Sequence, residues 1–207
     1  MIPVKILAVR YLANAAPALL AGLDIPADRP SLGLLTTDSD DATYIALDEA
    51  TKAADVTVAY RRSFYAGAAN ASTPYAGEVI GILAGPTPGA VRSGMEAAMA
   101  ALRRVGFDEV GGIPVLACTV SSTGSFLAAE AGVRPGQALA YLIAPPLEAM
   151  SALDGALKAA DVTLCKLYAP PTETNFGGAL LTGTQSACDA ACGAFRDAVA
   201  EIAGNPR

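Results

Sequence analysis

The second half of this chain nearly repeats the first. Residues 52–57, Lys-Ala-Ala-Asp-Val-Thr, return as residues 158–163, an offset of 106 (158 − 52). Further along, Gly85 pairs with Gly183 at an offset of 98 (183 − 85), so the first copy holds about eight extra residues, around residues 61–73. A tandem duplication allows one chain to replace two subunits of a symmetric ring. A loop enlarged in only one copy indicates that the difference between the copies serves function.

Hydrophobic patterning predicts the same α/β fold twice, an α+β sandwich of about four strands and three helices per copy. The 207 residues leave room for two domains of about 100 residues. We place these domains at residues 1–109 and 110–207, with the Gly-rich residues 107–114 as a linker. The predicted strands, of which the first two are expected to be buried, are 4–10, 32–36, 56–60, 78–83, 115–120, 138–143, 162–168 and 179–182. The predicted helices are 15–23, 41–54, 88–104, 125–131, 147–160 and 185–203.

Two of these helices have recognisable start signals. Asp38-Ser39-Asp40 precedes the helix that begins near residue 41, and its side-chain oxygens can accept free backbone N–H groups. Thr87 precedes Pro88, whose missing N–H costs nothing at the first position of a helix. These signals predict sharp starts for both helices.

Composition excludes several classes of protein. A net charge of −6 with scattered basic residues argues against a nucleic-acid partner. No apolar run approaches the ~20 residues that span a membrane, and residues 1–5 do not begin a secretory signal. Four unevenly spaced cysteines favour reduced thiols in a cytoplasmic protein. A chain that is 53% hydrophobic and 16% charged also favours extensive contacts between subunits.

At residues 52–56 and in their second copy, the chain resembles bacterial microcompartment shell proteins. In that family a helix ending in Lys-Ala-Ala-Asx-Val precedes a strand, a loop, a strand and an Ala/Gly-rich helix, as in both copies here. The strand and helix that usually close the unit come first, which is typical of the circularly permuted tandem subclass. Six motifs are similar to L-type shell proteins of ethanolamine-utilisation microcompartments: Ser31-Leu-Gly-Leu, Asp38-Ser-Asp-Asp-Ala-Thr-Tyr, Asp48-Glu-Ala-Thr-Lys, Tyr65-Ala-Gly-Ala, Ala144-Pro-Pro-Leu-Glu-Ala and Pro170-Pro-Thr-Glu-Thr-Asn-Phe.

The resemblance implies two tandem microcompartment-type domains in a homotrimer that imitates a hexamer. Such trimers tile with other shell proteins into a wall that small metabolites cross through pores. Lys52 and Lys158 would then lie at tile edges and donate to backbone carbonyls of a neighbouring tile. Without the resemblance, the favoured interpretation of both residues is solvated lysines at helix C-termini, where the helix dipole favours positive charge.

Three aspartates crowd one helix start in the first copy, and their counterparts at the 106 offset are uncharged. Capping accounts for one aspartate, so the cluster also favours a pocket that attracts cations. The resemblance implies small pores that receive ethanolamine, with the ligand held by Asp40, Asp41, Glu78, Tyr65, Phe107 and Thr182. We expect no cofactor and no dedicated metal; the alternative is an adventitious divalent ion at Asp40, Asp41 and Glu78, since hard cations take oxygen ligands.

The enlarged loop of the first copy is the second candidate region. The resemblance places it, with residues 172–176, around a larger pore on the threefold axis, where Tyr65, Asn70, Glu173, Asn175 and Phe176 are the candidate pore residues. Apart from Tyr65, the side chains of residues 65–73 are small or polar, so few apolar contacts oppose rearrangement. The alternative is a passive surface loop.

Catalysis has little support in the sequence. The chain has no histidine, the commonest general base, and no nucleophile elbow of the Gly-x-Ser-x-Gly type. Cys188 and Cys192 lie four residues apart on one helix face, where packing thiols are favoured over metal ligands. Two alternatives to a shell protein stay open: a metal-dependent carboxylate hydrolase or lyase, and a trimeric regulator that binds a small amine without building a wall.

Overall fold

A computed structural model describes residues 1–64, 78–170 and 172–205 of the chain. The chain forms two compact units, which we call the N-unit and the C-unit. The N-unit contains Pro3–Val105 and Gly124–Leu127, and the C-unit contains Met1–Ile2, Gly106–Thr123 and Ala128–Arg207. The sequence limits 1–109 and 110–207 delimit the repeats and stay a prediction. No helix in the described ranges combines the length and apolar character that crossing a bilayer requires.

The N-unit is built on a four-stranded antiparallel sheet of order β1-β2-β4-β3. Helices α2 and α3 pack together over one face of this sheet, against Leu35 and Leu83. Helix α1 and its flanking residues cover the other face, against Leu32 and Ile82. Its elements are β1 (Ile6–Leu12), α1 (Pro17–Gly22), β2 (Ser31–Thr37), α2 (Asp40–Ala53), β3 (Thr57–Phe64), β4 (Glu78–Gly85) and α3 (Pro88–Leu102).

The C-unit repeats this strand order with one strand added. Its sheet has the order β5-β6-β7-β9-β8, and β6 to β9 correspond to β1 to β4. Buried alanines at three- and four-residue spacings lie on the face of α5 that contributes to this core, in which Phe195 of α6 is fully buried. Its elements are β5 (Asp108–Val110), β6 (Ile113–Val120), α4 (Ser125–Ala131), β7 (Ala138–Ala144), α5 (Pro146–Ala159), β8 (Val162–Tyr168), β9 (Gly177–Gly183) and α6 (Gln185–Gly204). The duplicated α/β sandwich predicted from the sequence is confirmed.

The prediction of a linker at residues 107–114 was wrong. Strands β5 and β6 pair there in a hairpin, with Val110 opposite Ile113. Gly111 and Gly112, at φ 60° and 83°, form its two-residue turn. Positive φ at both central positions is what a type I′ hairpin turn needs, and glycine adopts it without steric cost. The glycines therefore mark a tight turn rather than a flexible connection.

The prediction that the first strand is buried was also wrong. Strand β1 lies at the edge of its sheet, and five of its seven residues are exposed. Strand β2, its partner, is buried as predicted. An apolar edge strand that remains exposed on a protomer is a surface that further contacts would cover.

Candidate functional site

The predicted acidic cluster lies where four strand ends of the N-unit meet. Thr37, near the end of β2, pairs with Ile6 of β1 and with Val79 of β4. Phe64, at the end of β3, pairs with Glu78 at the start of β4. Helix α2 begins three residues after β2 ends, so its first turn carries the aspartates to this same end of the sheet.

Asp38 connects the cluster to the chain segment before β1. Its Oδ1 accepts a hydrogen bond from the Lys5 backbone N–H at 2.8 Å, and its own N–H donates to the Lys5 carbonyl at 3.2 Å. Burial raises the pKa of Asp38 above its ordinary value, and the Glu78 charge raises it further against the opposing effect of Lys5. Glu78 and Asp38 are thus close enough to interact electrostatically, which is consistent with a region that attracts cations.

Hydrogen bonds to Asp41 and Ser63 help to fix Asp40. Its Oδ1 accepts from the Asp41 N–H at 2.9 Å, and its Oδ2 accepts from Ser63 Oγ at 2.6 Å. Both aspartates are buried even though each carries a carboxylate. They lie in the first turn of α2, where the positive end of the helix dipole favours negative charge.

The start of α2 differs from the predicted capping pattern. Ser39 occupies the N-cap position, but its side chain makes no capping hydrogen bond. Thr37 holds the turn instead: its Oγ1 accepts from the Ser39 N–H at 3.1 Å and lies 2.6 Å from Thr43 Oγ1. Because Asp38 bonds to Lys5, the cap prediction was wrong for Asp38 and Ser39.

Ser39 is the one buried side chain of the described residues with a polar atom lacking a hydrogen-bond partner. Its exposed fraction is 4%, and it lies between Asp38 and Asp40 in the chain. An unpaired buried hydroxyl costs free energy, so a native fold usually gives it a partner such as a bound molecule. The hydroxyl can donate to or accept from a small polar ligand.

Two other predicted pocket residues, Phe107 and Thr182, belong to the C-unit. Phe107 is buried, and its ring centroid lies 5.7 Å from that of Phe176. Thr182 Oγ1 donates to the Ala138 carbonyl at 2.9 Å. The structure therefore brings Asp40, Asp41 and Glu78 to one sheet end within the N-unit, while Tyr65 lies outside the described residues.

The described ranges contain no group of three or more His, Cys, Asp or Glu side chains arranged to hold a metal ion. The suggested metal at Asp40, Asp41 and Glu78 therefore receives no support. The four cysteines are thiols rather than disulfides, and Cys188 and Cys192 are buried. Burial raises the pKa of both of these thiols, which keeps them neutral. Their interpretation as packing thiols is confirmed.

Residues 172–176, predicted to lie at a larger pore, form a compact turn before β9. The Asn175 N–H donates to the Thr172 carbonyl at 3.1 Å, and the Thr172 N–H donates to the Phe176 carbonyl at 3.4 Å. Asn175 has φ 63°, a left-handed conformation that asparagine tolerates. Glu173 is exposed, and Asn70 lies outside the described residues. Phe176 thus links this turn to Phe107.

The two predicted edge lysines occupy equivalent positions at helix ends. Lys52 lies in the last turn of α2 and pairs with Glu49, and Lys158 lies in the last turn of α5 and pairs with Asp154 at 2.6 Å. Both lysines are exposed. They remain accessible to a neighbouring molecule while the helix dipole favours their charge.

Sequence reasoning missed one buried carboxylate, Asp48 on α2. Its Oδ2 accepts from the Gly124 N–H at 2.7 Å, and its Oδ1 accepts from the Leu127 N–H at 2.8 Å. Thr51 Oγ1 accepts from the Ser125 N–H at 3.0 Å. An aspartate flanked by the buried residues of an amphipathic helix was the available signal, because such a group must find partners.

A cationic side chain also contacts this region of the N-unit. The Arg61 guanidinium lies 4.9 Å from the Phe126 ring centroid and 5.9 Å from that of Tyr44. The two rings lie edge to face with centroids 6.2 Å apart. Cation–π contacts of this kind add about 0.5–2 kcal/mol to the packing.

The chain is similar in sequence and in structure to bacterial microcompartment shell proteins. The model of the BMC domain family matches residues 31–111. The bacterial microcompartment shell protein EutL of Clostridium perfringens (strain 13 / Type A) is 59% identical over 206 residues, covering 98% of this chain and 95% of that protein. A crystal structure of EutL from Clostridium perfringens superimposes with a TM-score of 0.93 at 58% identity, over 99% of this chain and 95% of that one. A trimeric bacterial microcompartment shell protein, PduB, shares the fold with a TM-score of 0.81 at 19% identity, over 94% and 87%.

Proposed function

This chain belongs to the bacterial microcompartment shell proteins, of the EutL type found in ethanolamine-utilisation compartments, and we propose that three copies of it form one tile of the shell. The observation that carries the proposal is the repeated strand order of the N-unit and C-unit in one chain that is 59% identical to a shell protein. Three chains supply six such units, the number that a hexagonal tile needs. The two microcompartment-type domains would span residues 1–109 and 110–207.

Exposed apolar strands support assembly. Leu7 and Leu12 of β1 and Leu164 and Leu167 of β8 are all exposed on the protomer. Both strands lie at the edges of their sheets. Apolar side chains gathered on edge strands favour contacts that remove them from water.

Sedimentation and electron microscopy test the tile directly. We expect the purified chain to sediment as a trimer and to form flat sheets with a hexagonal repeat at high concentration. A monomer at all concentrations would contradict the trimer. A trimer that never forms sheets would favour the alternative of a trimeric amine-binding regulator.

We further propose that small pores of the tile bind small alkylammonium ions such as ethanolamine at Asp40, Asp41, Glu78, Tyr65, Phe107 and Thr182. The buried carboxylates of α2 provide negative charge in a partly desolvated environment, where attraction to an ammonium group exceeds the ~1 kcal/mol found in water. Ser39 Oγ offers an unpaired hydroxyl beside them. An aromatic face beside a carboxylate suits an alkylammonium ion.

Calorimetric titration with ethanolamine tests this pocket. We expect Asp40→Asn to weaken binding about tenfold or more, because a hydrogen bond to a charged group contributes about 1.5–3 kcal/mol. Ser39→Ala should weaken binding while leaving the fold intact, since the hydroxyl makes no hydrogen bond in the described residues. Asp28→Asn is the matched control, because Asp28 is an exposed aspartate of the same unit. Equal affinities for all four proteins would contradict the pocket.

The turn at residues 172–176 and the enlarged loop would border a larger central opening, with Tyr65, Asn70, Glu173, Asn175 and Phe176 facing it. The contact between Phe176 and Phe107 gives this turn an apolar anchor. Crystals grown in different conditions should then show these segments in two arrangements. A single arrangement throughout would favour a passive loop.

The relatives are shell proteins, which points away from an enzyme. The chain also lacks histidine. We therefore propose that its chemistry is limited to binding and passage of small molecules. Turnover of an amine or ester in the presence of added divalent metal would overturn this part of the proposal.

A further inference from the structure

Helix α2 of the N-unit holds a segment from much later in the chain, residues Gly124–Leu127. Asp48 accepts the N–H groups of both end residues of this segment, and Thr51 accepts the N–H of Ser125. Leu127, the last residue of the segment, is only 1% exposed. The side of α2 that carries Asp48 and Thr51 is thus a binding surface for residues 124–127. We call these residues a corner, because they lie where β6 of the second repeat leads into α4.

The first repeat contains the equivalent corner, residues Ala16–Leu19 at the start of α1. Two backbone features set the equivalence at an offset of 108 (132 − 24). Asp24 and Gly132 both have positive φ, at 55° and 66°. The turn after each helix is closed by a matching hydrogen bond of 2.9 Å, from the Ile25 N–H to the Leu20 carbonyl and from the Val133 N–H to the Ala128 carbonyl.

The second repeat likewise contains the equivalent of α2, helix α5. At the repeat offset of 106, Tyr44 corresponds to Met150, Asp48 to Asp154 and Thr51 to Leu157. All three α5 residues are exposed, Met150 and Leu157 both at 36%. Leu19, the counterpart of the buried Leu127, is 44% exposed. The corner of the first repeat and the helix of the second are therefore both uncovered on the protomer.

Where the two repeats differ in sequence, the corner and the helix change together: a residue that loses a hydrogen-bond donor in the corner is matched by one that loses the acceptor in the helix. The hydrogen bond from the Ser125 N–H to Thr51 Oγ1 has no equivalent, because Pro17 has no N–H and Leu157 has no acceptor. Replacing both partners of a hydrogen bond with apolar groups leaves no unsatisfied atom, whereas replacing one does. If Pro17 contacts Leu157 as Ser125 contacts Thr51, the donor and the acceptor are expected to be replaced together, as they are here.

The aspartate of the first helix is retained in the second, because Asp154 is the counterpart of Asp48. Like Asp48, it is an aspartate five residues before the last residue of its helix (53 − 48 and 159 − 154), and it pairs with Lys158 at 2.6 Å. A Cβ at Gly124 would clash with Thr51 Oγ1, whereas the residue at the equivalent position of the first repeat, Ala16, carries a Cβ. The second pair must therefore approach less closely, with the apolar side chains of Leu19, Met150 and Leu157 filling the contact.

From these observations we propose that α5 binds the Ala16–Leu19 corner of a second copy of this chain. The inference rests on the proposed trimer and gives its subunit contact. In a ring of alternating repeats, the corner of residues 124–127 is bound within its own chain, and the corner of residues 16–19 is bound by the next chain. Each tile then contains three such largely apolar junctions between chains.

Charge substitution tests the contact by sedimentation at matched protomer concentrations. Leu19→Lys and Leu157→Glu should each weaken trimer formation at least tenfold, because each buries an unpaired charge in an apolar junction. The combination of both substitutions should restore much of the trimer, since the two charges would face each other. Leu147→Glu is the control, because Leu147 is exposed on the same helix about 15 Å from Leu157.

Disulfide trapping provides a second readout that does not depend on weakening the protein. Oxidised Leu19→Cys plus Leu157→Cys protein should run as covalent dimers and trimers without reducing agent, whereas Leu19→Cys plus Leu147→Cys protein should not. This contact would be overturned if the wild-type chain is a trimer, Leu19→Lys and Leu157→Glu form trimers equally well, and the Leu19→Cys plus Leu157→Cys protein shows no cross-linked species. The proposal of a trimeric tile would still stand in that case. Wild-type monomers would instead overturn the proposed function itself.

Discussion

Asp48 has no exposed surface, and its carboxylate bonds to two backbone N–H groups of residues 124–127. Burial raises the pKa of Asp48, and the hydrogen bonds from Leu127 and Gly124 lower it. Burial has the larger effect, so the pKa in the folded protein lies above its ordinary value. The native state therefore protonates Asp48 at a higher pH than the unfolded chain does. As pH rises from the ordinary value of 3.8 to the native pKa, the contribution of Asp48 to stability falls.

Substitution of Asp48 tests this balance. Asp48→Asn keeps one acceptor but turns an N–H donor toward a backbone N–H, so we expect a loss of about 1–3 kcal/mol in the free energy of unfolding at pH 7. Because asparagine does not titrate, the gap between wild type and variant should widen as pH falls toward 4. Urea denaturation of both proteins from pH 4 to 7, at one protomer concentration, measures this gap.

Asp28→Asn provides the control for the pH series. Asp28 is exposed, and surface substitutions usually change stability by less than about 0.5 kcal/mol. A gap for Asp48→Asn that narrows as the pH falls would contradict the raised pKa. A variant as stable as wild type at every pH would contradict the role of Asp48 in holding residues 124–127.

Most helices and strands follow from local patterns in the sequence. The helix predicted at residues 125–131 and the strand predicted at 162–168 have the same bounds in the structure. Thr87 Oγ1 accepts the Ala90 N–H at 3.1 Å, as the Thr-Pro signal predicted. These features depend on neighbours within a few residues, which the sequence displays directly.

Features that depend on distant residues were not predictable in this way. Asp48 and Gly124 are separated by 76 positions, and no local pattern joins them. Asp40 and Asp41 are adjacent in the chain, so their proximity was predictable. The hydrogen bond from Ser63 to Asp40 was not, because it depends on the pairing of β2, β4 and β3. Residues 107–114 were misinterpreted because glycine marks tight turns and flexible linkers alike.

The hairpin turn between β5 and β6 gives a prediction about this element. At Gly112, with φ 83°, an added Cβ would meet no atom within 4 Å, so Gly112→Ala tests backbone strain alone. We expect a loss of about 1 kcal/mol in unfolding free energy, since L-residues disfavour this conformation. The urea midpoint, read by circular dichroism, measures it.

Gly89→Ala supplies the matched substitution at a position with ordinary φ. Gly89 lies in the first turn of α3, and its nearest contact for an added Cβ is Thr87 Oγ1 at 3.9 Å. There alanine should stabilise by about 0.4–1 kcal/mol, because it reduces the conformational freedom of the unfolded chain. Equal effects at both positions would show that the turn does not need glycine.

At the scale of the whole molecule, the two repeats present equivalent helix ends with an exposed lysine on each. Lys52 and Lys158 are separated by the repeat offset, and each pairs with an acidic residue on its own helix. Exposed ion pairs of this kind contribute only about 0–1 kcal/mol to stability. Both lysines can therefore exchange these partners for a neighbouring tile at little cost to folding.

The combination of Lys52→Glu and Lys158→Glu tests this edge role. We expect a folded trimer by sedimentation and circular dichroism, because the Lys158 side chain is exposed and the Lys52 side chain is partly exposed. Electron micrographs should show no sheets, since six like charges per trimer would face those of the next tile across each edge. Arg103→Glu plus Arg104→Glu makes the same change in net charge at two exposed residues after α3 and should still tile. Normal sheets from the lysine variant, or loss of sheets from both variants, would assign the tile edge to other residues.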